Sequence, residues 1–249
     1  MRNILITGAN GFIGKNLINK LNVDSINILT FTKENNLEEL KKLLLMSDFI
    51  YHFAGEVKPN SSNEEFKEAN VTLTKIMIKI LEENNRKIPI LLASSIHAKL
   101  LKNEYGRTKR DSEILIEEYS KNNNIQCYIY QLPHVFGEGC KANYNSVIST
   151  WISNRINNLE INVFNRDIQM NYVYVQDIIE SFIRHLENKN NLYVDVNKVY
   201  ETTLGEVVDY LKEFNENINN NSFEIKDNEF KQKLFITYKD YYKKLTGNR

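Results

Sequence analysis

The sequence predicts an α/β fold, a doubly wound parallel sheet followed by a smaller C-terminal lobe. Three observations carry this. Short apolar runs rich in Ile, Val and Tyr alternate with segments of helical period through the first half of the chain. A glycine-rich turn joins the first such run to the first helix. After Pro133 the alternation loosens, which marks the change from sheet to lobe.

Taken in order, a strand over 3–7 leads into a helix over 11–22, 26–31 into 37–46, 49–53 into 66–84, and 89–94 into 105–121, with a strand over 126–131 closing the run. Almost no residues separate Lys33 from Leu37, so the second crossover is short. Beyond Pro133 the pattern predicts a helix over 144–158, a short strand over 161–164 and a strand over 171–175. Helices over 177–188, 204–215 and 230–245 follow, and the Asn-rich stretch from Asn215 to Ser222 reads as exposed loop. Strand 171–175 and helix 177–188 can return to the main sheet, and the lobe is expected to cap that sheet's carboxyl edge.

With 249 residues and 42% hydrophobic content the chain can fill a sizeable core as a single unit. Lys+Arg and Asp+Glu both total 32, so zero formal net charge argues against nucleic acid as a partner. Met1 runs directly into a strand, and neither a signal peptide nor an apolar membrane span is visible. A cytoplasmic protein with no membrane partner is expected. Cys127 and Cys140 read as reduced thiols, and neither has a histidine at metal-ligand spacing, so no metal is expected.

Gly8-Ala-Asn-Gly11-Phe-Ile-Gly14 follows a strand and opens a helix, the context a dinucleotide fingerprint needs in a Rossmann-type sheet. Gly8 permits the tight turn, Gly11 lets backbone approach a pyrophosphate, and Gly14 lets the helix pack on the sheet. Asn10, Phe12 and Ile13 complete the cradle. Residues 1–132 are therefore mainly dinucleotide-binding and 133–249 mainly substrate-binding. NAD-specific sites place a carboxylate about 20 residues on, at the end of the second strand. Here that strand ends in Thr32 and Lys33, which suit the 2′-phosphate of NADP(H), while Glu34 keeps NAD(H) open.

Tyr105-Gly-Arg-Thr-Lys109 begins a helix, and its i, i+4 spacing puts both side chains on one face. A tyrosine with a reference pKa of about 10 is a poor acid–base at neutral pH, and a nearby lysine cation is expected to lower that value. Tyr and Lys are common here, so the spacing alone says little. Its context says more, because the pair follows the turn Ala93-Ser94-Ser95-Ile96 at a strand's carboxyl end, where α/β ligands bind. Among the histidines, His52 and His185 read as structural, whereas His97, two residues after Ser95, is placed to face substrate.

These segments, with Asp48-Phe-Ile-Tyr-His52-Phe-Ala54-Gly55, Asn70 and Tyr172-Val-Tyr-Val-Gln-Asp177, occur in the order found in the extended short-chain dehydrogenases/reductases of the NAD-dependent epimerase/dehydratase family. The resemblance covers roughly residues 1–180. The run from Val135 to Ile148 and the segment from Phe230 to Leu245 resemble the reductase domain of CapF/WbjC-type capsule-precursor enzymes. Those enzymes reduce a 4-keto-6-deoxy UDP-amino sugar.

The resemblance implies roles by position. Ser95 would hydrogen-bond the substrate carbonyl, Tyr105 would protonate its oxygen, and Lys109 would hold the nicotinamide ribose and tune Tyr105. Phe53, Ala54, Gly55 and Ser94 would also line the cofactor, with Pro133 and Val135 at the nicotinamide. His97, His134, Lys141, Asn143, Tyr144 and Asn145 would meet the nucleotide sugar. His134 stands where the family usually has Asn, and Met170 where many epimerases carry an Arg on the diphosphate. Lys141, Arg155 or Arg166 would have to replace that Arg, with Arg166 ranked first for its place before strand 171–175.

The resemblance therefore implies an NADPH-dependent C4 reductase of a 4-keto nucleotide sugar, working as a homodimer through helices 66–84 and 105–121. An epimerase or dehydratase of the same fold, or a cofactor-binding sensor, is the alternative. The dehydratase Asp-Glu pair is missing after Ser95, where Ile96-His97-Ala98 stands, and a sensor typically loses the Tyr or the Lys. The CapF-type enzymes continue into a metal-binding cupin domain that epimerises C3. This sequence ends at Arg249, and a monofunctional reductase is the expectation.

Overall fold

The structure, a computed structural model, describes residues 1–21, 25–144, 146–187, 191–219, 225 and 228–247. Two compact units divide the chain, one of Met1–Leu132 and Ile179–Val196, the other of Pro133–Ile178 and Asn197–Arg249.

The first unit runs β1 (Arg2–Thr7), α1 (Phe12–Lys20), β2 (Ile26–Phe31), α2 (Leu37–Met46), β3 (Phe49–His52) and α3 (Asn63–Phe66). A π-helical turn over Lys67–Thr72 then leads into α4 (Leu73–Glu83), β4 (Ile90–Ser95), α5 (His97–Leu100), α6 (Glu104–Asn123) and β5 (Tyr128–Leu132). The strands form a Rossmann-like parallel sheet in the order β2-β1-β3-β4-β5, which Tyr193 extends by a parallel bridge to Ile129. Every residue of β3 and β4 is buried, as expected of strands covered by helices on both faces. Leu5, Ile50, Leu92 and Ile129 from four strands share one core with Leu40 and Leu44 of α2, Met77 and Leu81 of α4, and Ile116 and Tyr119 of α6.

Several helix starts are set by short polar side chains. Asn36 and Glu39 close a capping box on α2, and the Asn103 side chain accepts from the Gly106 amide to start α6. The chain steps from β1 outward to β2 and then back past β1 to β3. The switch point, where such sheets open a ligand crevice at their carboxyl ends, therefore lies between β1 and β3.

The second unit contains β6 (His134–Phe136), α7 (Val147–Ile156), β7 (Gln169–Tyr174), β8 (Tyr200–Thr203), α9 (Leu204–Asn219) and α10 (Glu229–Thr246), while α8 (Val175–Arg184) spans the boundary between the units. Its sheet has the order β6-β7-β8, with β6 parallel and β8 antiparallel to β7. Phe136, Trp151, Tyr172, Phe214, Phe230 and Tyr238 build its own core. Asp177 accepts from the Lys233 ammonium at 2.5 and 2.8 Å and from the Tyr200 hydroxyl at 2.9 Å, tying α8, α10 and β8 together.

Several expectations are corrected here. Residues 161–164 form no strand, because Ile161 and Val163 pack directly against the core while Phe164 stands fully exposed. Strand 171–175 is observed as β7 and joins the three-stranded sheet, not the main one. The Asn-rich stretch is not all loop. Residues 215–219 continue α9, whose buried face extends from Phe214 to Ile218, one turn on; residues 220–222 lie outside the described residues. Among the described residues, no helix is long and apolar enough to cross a membrane.

Candidate active site

The glycine cradle lies at the switch point. Gly8 has φ +68°, and a Cβ there would lie 2.7 Å from the Ala54 amide nitrogen and 2.8 Å from the Phe53 carbonyl carbon. A Cβ on Gly14 would lie 2.5 Å from the Gly8 oxygen, so this position sets how closely α1 approaches the turn. The Gly11 amide donates to the Gly8 carbonyl at 2.9 Å. Gly11 is also the N-cap of α1, without a side-chain cap and without an acidic residue in the first turn. Amides at such a helix start favour an anion. Asn10 is exposed, and Phe12 and Ile13 are half-buried.

β1 and β3 are tied just below the cradle. The Thr7 hydroxyl bonds His52 Nδ1 at 2.7 Å and accepts from the Ala54 amide at 3.1 Å, while His52 Nε2 bonds the Thr74 hydroxyl at 2.9 Å. Burial, helped by the Lys109 charge, pulls the His52 pKa down to about 3, so this histidine is a neutral core group. Phe53 stacks on Phe182 at 5.4 Å. Beyond β2, the Thr32 amide donates to the Asn35 side chain at 2.8 Å, and Lys33 is exposed.

Ser95, Tyr105 and Lys109 meet at the carboxyl end of β4. The Ser95 side chain lies beside the Tyr105 phenol and pulls its pKa down, and the His97 amide donates to Ser95 Oγ at 3.3 Å. The Tyr105 ring lies 5.8 Å from both Phe66 and His97, the latter edge-on. Lys109 is buried and donates to the Ala93 carbonyl at 3.2 Å, its Nζ 5.9 Å from the Tyr105 ring centre. A Cβ on Gly55 would lie 3.4 Å from Lys109 Nζ, so the 53–55 segment connects the cradle to the lysine.

The charge logic differs from the expectation at Tyr105. Burial raises the phenol's pKa above its ordinary value, opposed by the Ser95 hydrogen bond, so the lysine does not make it a ready phenolate. Burial also lowers the Lys109 pKa to about 8, against an upward pull from Glu113. At neutral pH the geometry presents a protonated phenol beside a charged amine.

Asn70 is among the residues that carry the family resemblance. It sits in the π-helical turn, a distortion frequent at functional sites, accepts from the Glu56 amide at 3.1 Å and donates to the Thr108 hydroxyl at 3.2 Å. It thereby ties the loop after β3 to α6. Glu113 is wholly buried one turn beyond Lys109 and was missed, although i+4 spacing pointed to it. The Ser94 hydroxyl, expected at the cofactor, donates to Glu113 at 2.5 Å.

The remaining predicted residues belong to the second unit. Pro133 and Val135 are half-buried, and exposed His134 lies 5.9 Å from the Tyr172 ring. Lys141 sits 5.8 Å from the Tyr144 ring centre, and the Asn143 amide donates to the Thr150 hydroxyl at 3.0 Å. Arg166 pairs with Asp209 at 2.7 Å and donates to the Gly205 carbonyl, so α9 already holds its guanidinium. Asn145 lies outside the described residues. Among the described residues, no group of three or more His, Cys, Asp or Glu could hold a metal.

A parallel sheet with a glycine turn at its switch point is the architecture of Rossmann-type dinucleotide-binding proteins. The chain belongs to the NAD dependent epimerase/dehydratase family, which matches residues 4–198. It is 36% identical over 214 residues to a UDP-2-acetamido-2,6-beta-L-arabino-hexul-4-ose reductase of Pseudomonas aeruginosa, covering 85% of this chain and 57% of that relative. The capsular polysaccharide assembling protein CapF of Staphylococcus aureus superposes with a TM-score of 0.87 at 37% identity, over 99% of this chain and 68% of that one. A UDP-glucose 4-epimerase of Thermotoga maritima shares the fold, with a TM-score of 0.83 at 15% identity over 98% of this chain and 99% of its own.

Proposed function

We propose that the protein is an NADPH-dependent reductase that converts the C4 ketone of a 4-keto-6-deoxy nucleotide sugar to a hydroxyl, on the way to a surface polysaccharide. A UDP-2-acetamido-2,6-dideoxy-4-keto-hexose is the substrate class. The observation that carries the reading is the meeting of Ser95, Tyr105 and Lys109 at the end of β4, connected through residues 53–55 to the glycine cradle. The likeness to the Pseudomonas aeruginosa reductase supports the substrate class.

The residues present fit a dinucleotide. A Cβ would fill the cradle at Gly8 or Gly14, and the first amides of α1 lack a side-chain cap. NADPH, when bound, supplies the hydride. The α1 amides would hold its pyrophosphate, Thr32 and Lys33 its 2′-phosphate, and Lys109 its nicotinamide ribose. Ser95 orients the ketone oxygen by a hydrogen bond, and Tyr105 donates the proton to that oxygen. Burial keeps the proton on Tyr105 at neutral pH, the form a reduction needs. Incubation with NADPH and a panel of 4-keto-6-deoxy nucleotide sugars, followed by cofactor absorbance, should show oxidation with the UDP-amino sugars. A panel without any turnover rejects the reading.

Cofactor choice follows from the end of β2, where a hydroxyl and an exposed cation stand in place of a carboxylate. The expected result is a higher kcat/KM with NADPH than with NADH, and Lys33→Asp should move the ratio toward NADH. A wild-type preference for NADH refutes this choice.

The same reading includes a cytoplasmic homodimer. Its supports are two free, buried cysteines and the apolar surface of α4 and α6, where Ile114 is exposed and Ile76 and Ile80 are half-buried. Light scattering should give twice the 29.3 kDa chain mass, and a monomer at micromolar concentration contradicts the dimer.

A further inference from the structure

Three residues of α6 at successive i+4 positions grip three successive residues of β4. Tyr105 lies beside Ser95, Lys109 donates to the Ala93 carbonyl at 3.2 Å, and Glu113 accepts from the Ser94 hydroxyl at 2.5 Å. The first two rungs are the proposed reacting groups. The third is a fully buried carboxylate with more donors than folding alone would ask for.

Gln131 of β5 donates to both Glu113 oxygens at 3.0 Å, Arg110 donates at 3.0 Å, and the Tyr193 hydroxyl donates at 3.1 Å. Arg110 and Tyr193 are shared with Glu117 at 2.6 and 2.5 Å, so part of their attraction is spent outside the core. Burying an acidic side chain is costly, and a packed apolar residue would usually be at least as stable. Its chemistry, more than its packing, has to justify its place.

We propose that Glu113 is a positioning residue of the reductase site, acting through Ser94 to fix the end of β4 and through Lys109 as the buried counter-charge of that ammonium. The inference rests on the reading of Tyr105 and Lys109 as the reacting pair. The groups facing Lys109 are Tyr105 and Glu113 on its own helix, neutral His52 at the end of β3, and the Asn70 side chain beside Gly55. Of these, Glu113 is the acidic group. It opposes the burial that has drawn the Lys109 pKa to about 8, and so keeps the amine charged at neutral pH. Without it that pKa falls further, and the alkaline limit of reduction moves to lower pH.

Two readouts test this. NMR titration of protein carrying 13C-labelled lysine, free of cofactor and substrate and assigned against Lys109→Arg, should give a Lys109 midpoint near 8. In Glu113→Gln the midpoint should drop by about one unit, a tenfold change in proton affinity. The alkaline limb of kcat/KM should move with it, and kcat should fall by roughly 10- to 100-fold as the β4 end loosens.

Arg110→Gln is the second variant. It removes a part-exposed cation that competes for Glu113, so the midpoint should rise. If Glu113→Gln does not fold, Arg110→Gln decides alone: a rise supports the proposal and an unchanged midpoint overturns it. Unchanged midpoints in both variants overturn it equally. Midpoints that move as expected while Tyr105→Phe keeps normal turnover would instead reject the reading of the reacting pair and leave the Glu113–Lys109 coupling standing.

Discussion

Tyr105→Phe is expected to cut ketone reduction by about 10²- to 10⁴-fold, the usual contribution of a general acid, while fold and cofactor affinity stay close to wild type. The substitution removes the hydroxyl that meets Ser95 and nothing else. The ring's contacts with Phe66 and His97 at 5.8 Å remain available to phenylalanine. Lys109→Ala should damage both turnover and NADPH binding, because the amine is the proposed ribose ligand. The pH profile follows from the same pair. Tyr105 holds its proton above its ordinary range, whereas Lys109 gives up its charge near pH 8. The rate of reduction should therefore be level below pH 8 and fall above it. Steady-state kinetics with both variants, alongside NADPH fluorescence titration and thermal melts, separates these effects. Near-normal turnover by Tyr105→Phe sinks the assignment.

How far the sequence foretold this structure depended on burial. The strands β1 to β5 read correctly to within two residues because parallel strands covered on both faces appear as unbroken apolar runs. The second unit was less legible. β6 is only His134-Val135-Phe136, and β8, Tyr200 to Thr203, has one buried residue, so neither shows a strand pattern of its own. Both are strands because β7 lies between them and supplies their partners. Segment 161–164 is the converse case: Ile161-Asn162-Val163-Phe164 is rich in strand-forming residues but forms no ladder.

The candidate site shows the same division. Ser95, Tyr105 and Lys109 could be read from one strand end and one helical spacing, since both are local facts. The role of Asn70 could not, because it depends on a π-helical turn that delivers the side chain to Gly55 and Thr108. The direction of the Tyr105 shift was missed for a related reason. Sequence spacing counts the nearby cation but not the loss of water around the phenol, and here desolvation is the larger effect.

Gly8→Ala should have the largest effect on the folded state, and its cause can be isolated. The substitution imposes a left-handed backbone on a residue with a Cβ, costing about 1–2 kcal/mol. The same left-handed strain arises in Gly247→Ala, where φ is +69° and nothing lies within 4 Å of the added carbon. At Gly8 the added carbon also meets Ala54 backbone at 2.7 Å. That contact cannot be relieved by rotating a side chain, because β1 and β3 are paired in register up to Thr7 and His52. Overpacking of this kind adds roughly 1–3 kcal/mol. Against a typical total stability of about 5–15 kcal/mol, Gly8→Ala should lower Tm by roughly 5–15 °C, and Gly247→Ala by only about 2–8 °C. The β1–α1 turn must also open to admit the methyl group, so NADPH binding should be lost in the first variant and kept in the second. Equal melting shifts and equal NADPH affinity in the two variants would mean that the approach of Gly8 to Ala54 is not what requires glycine there.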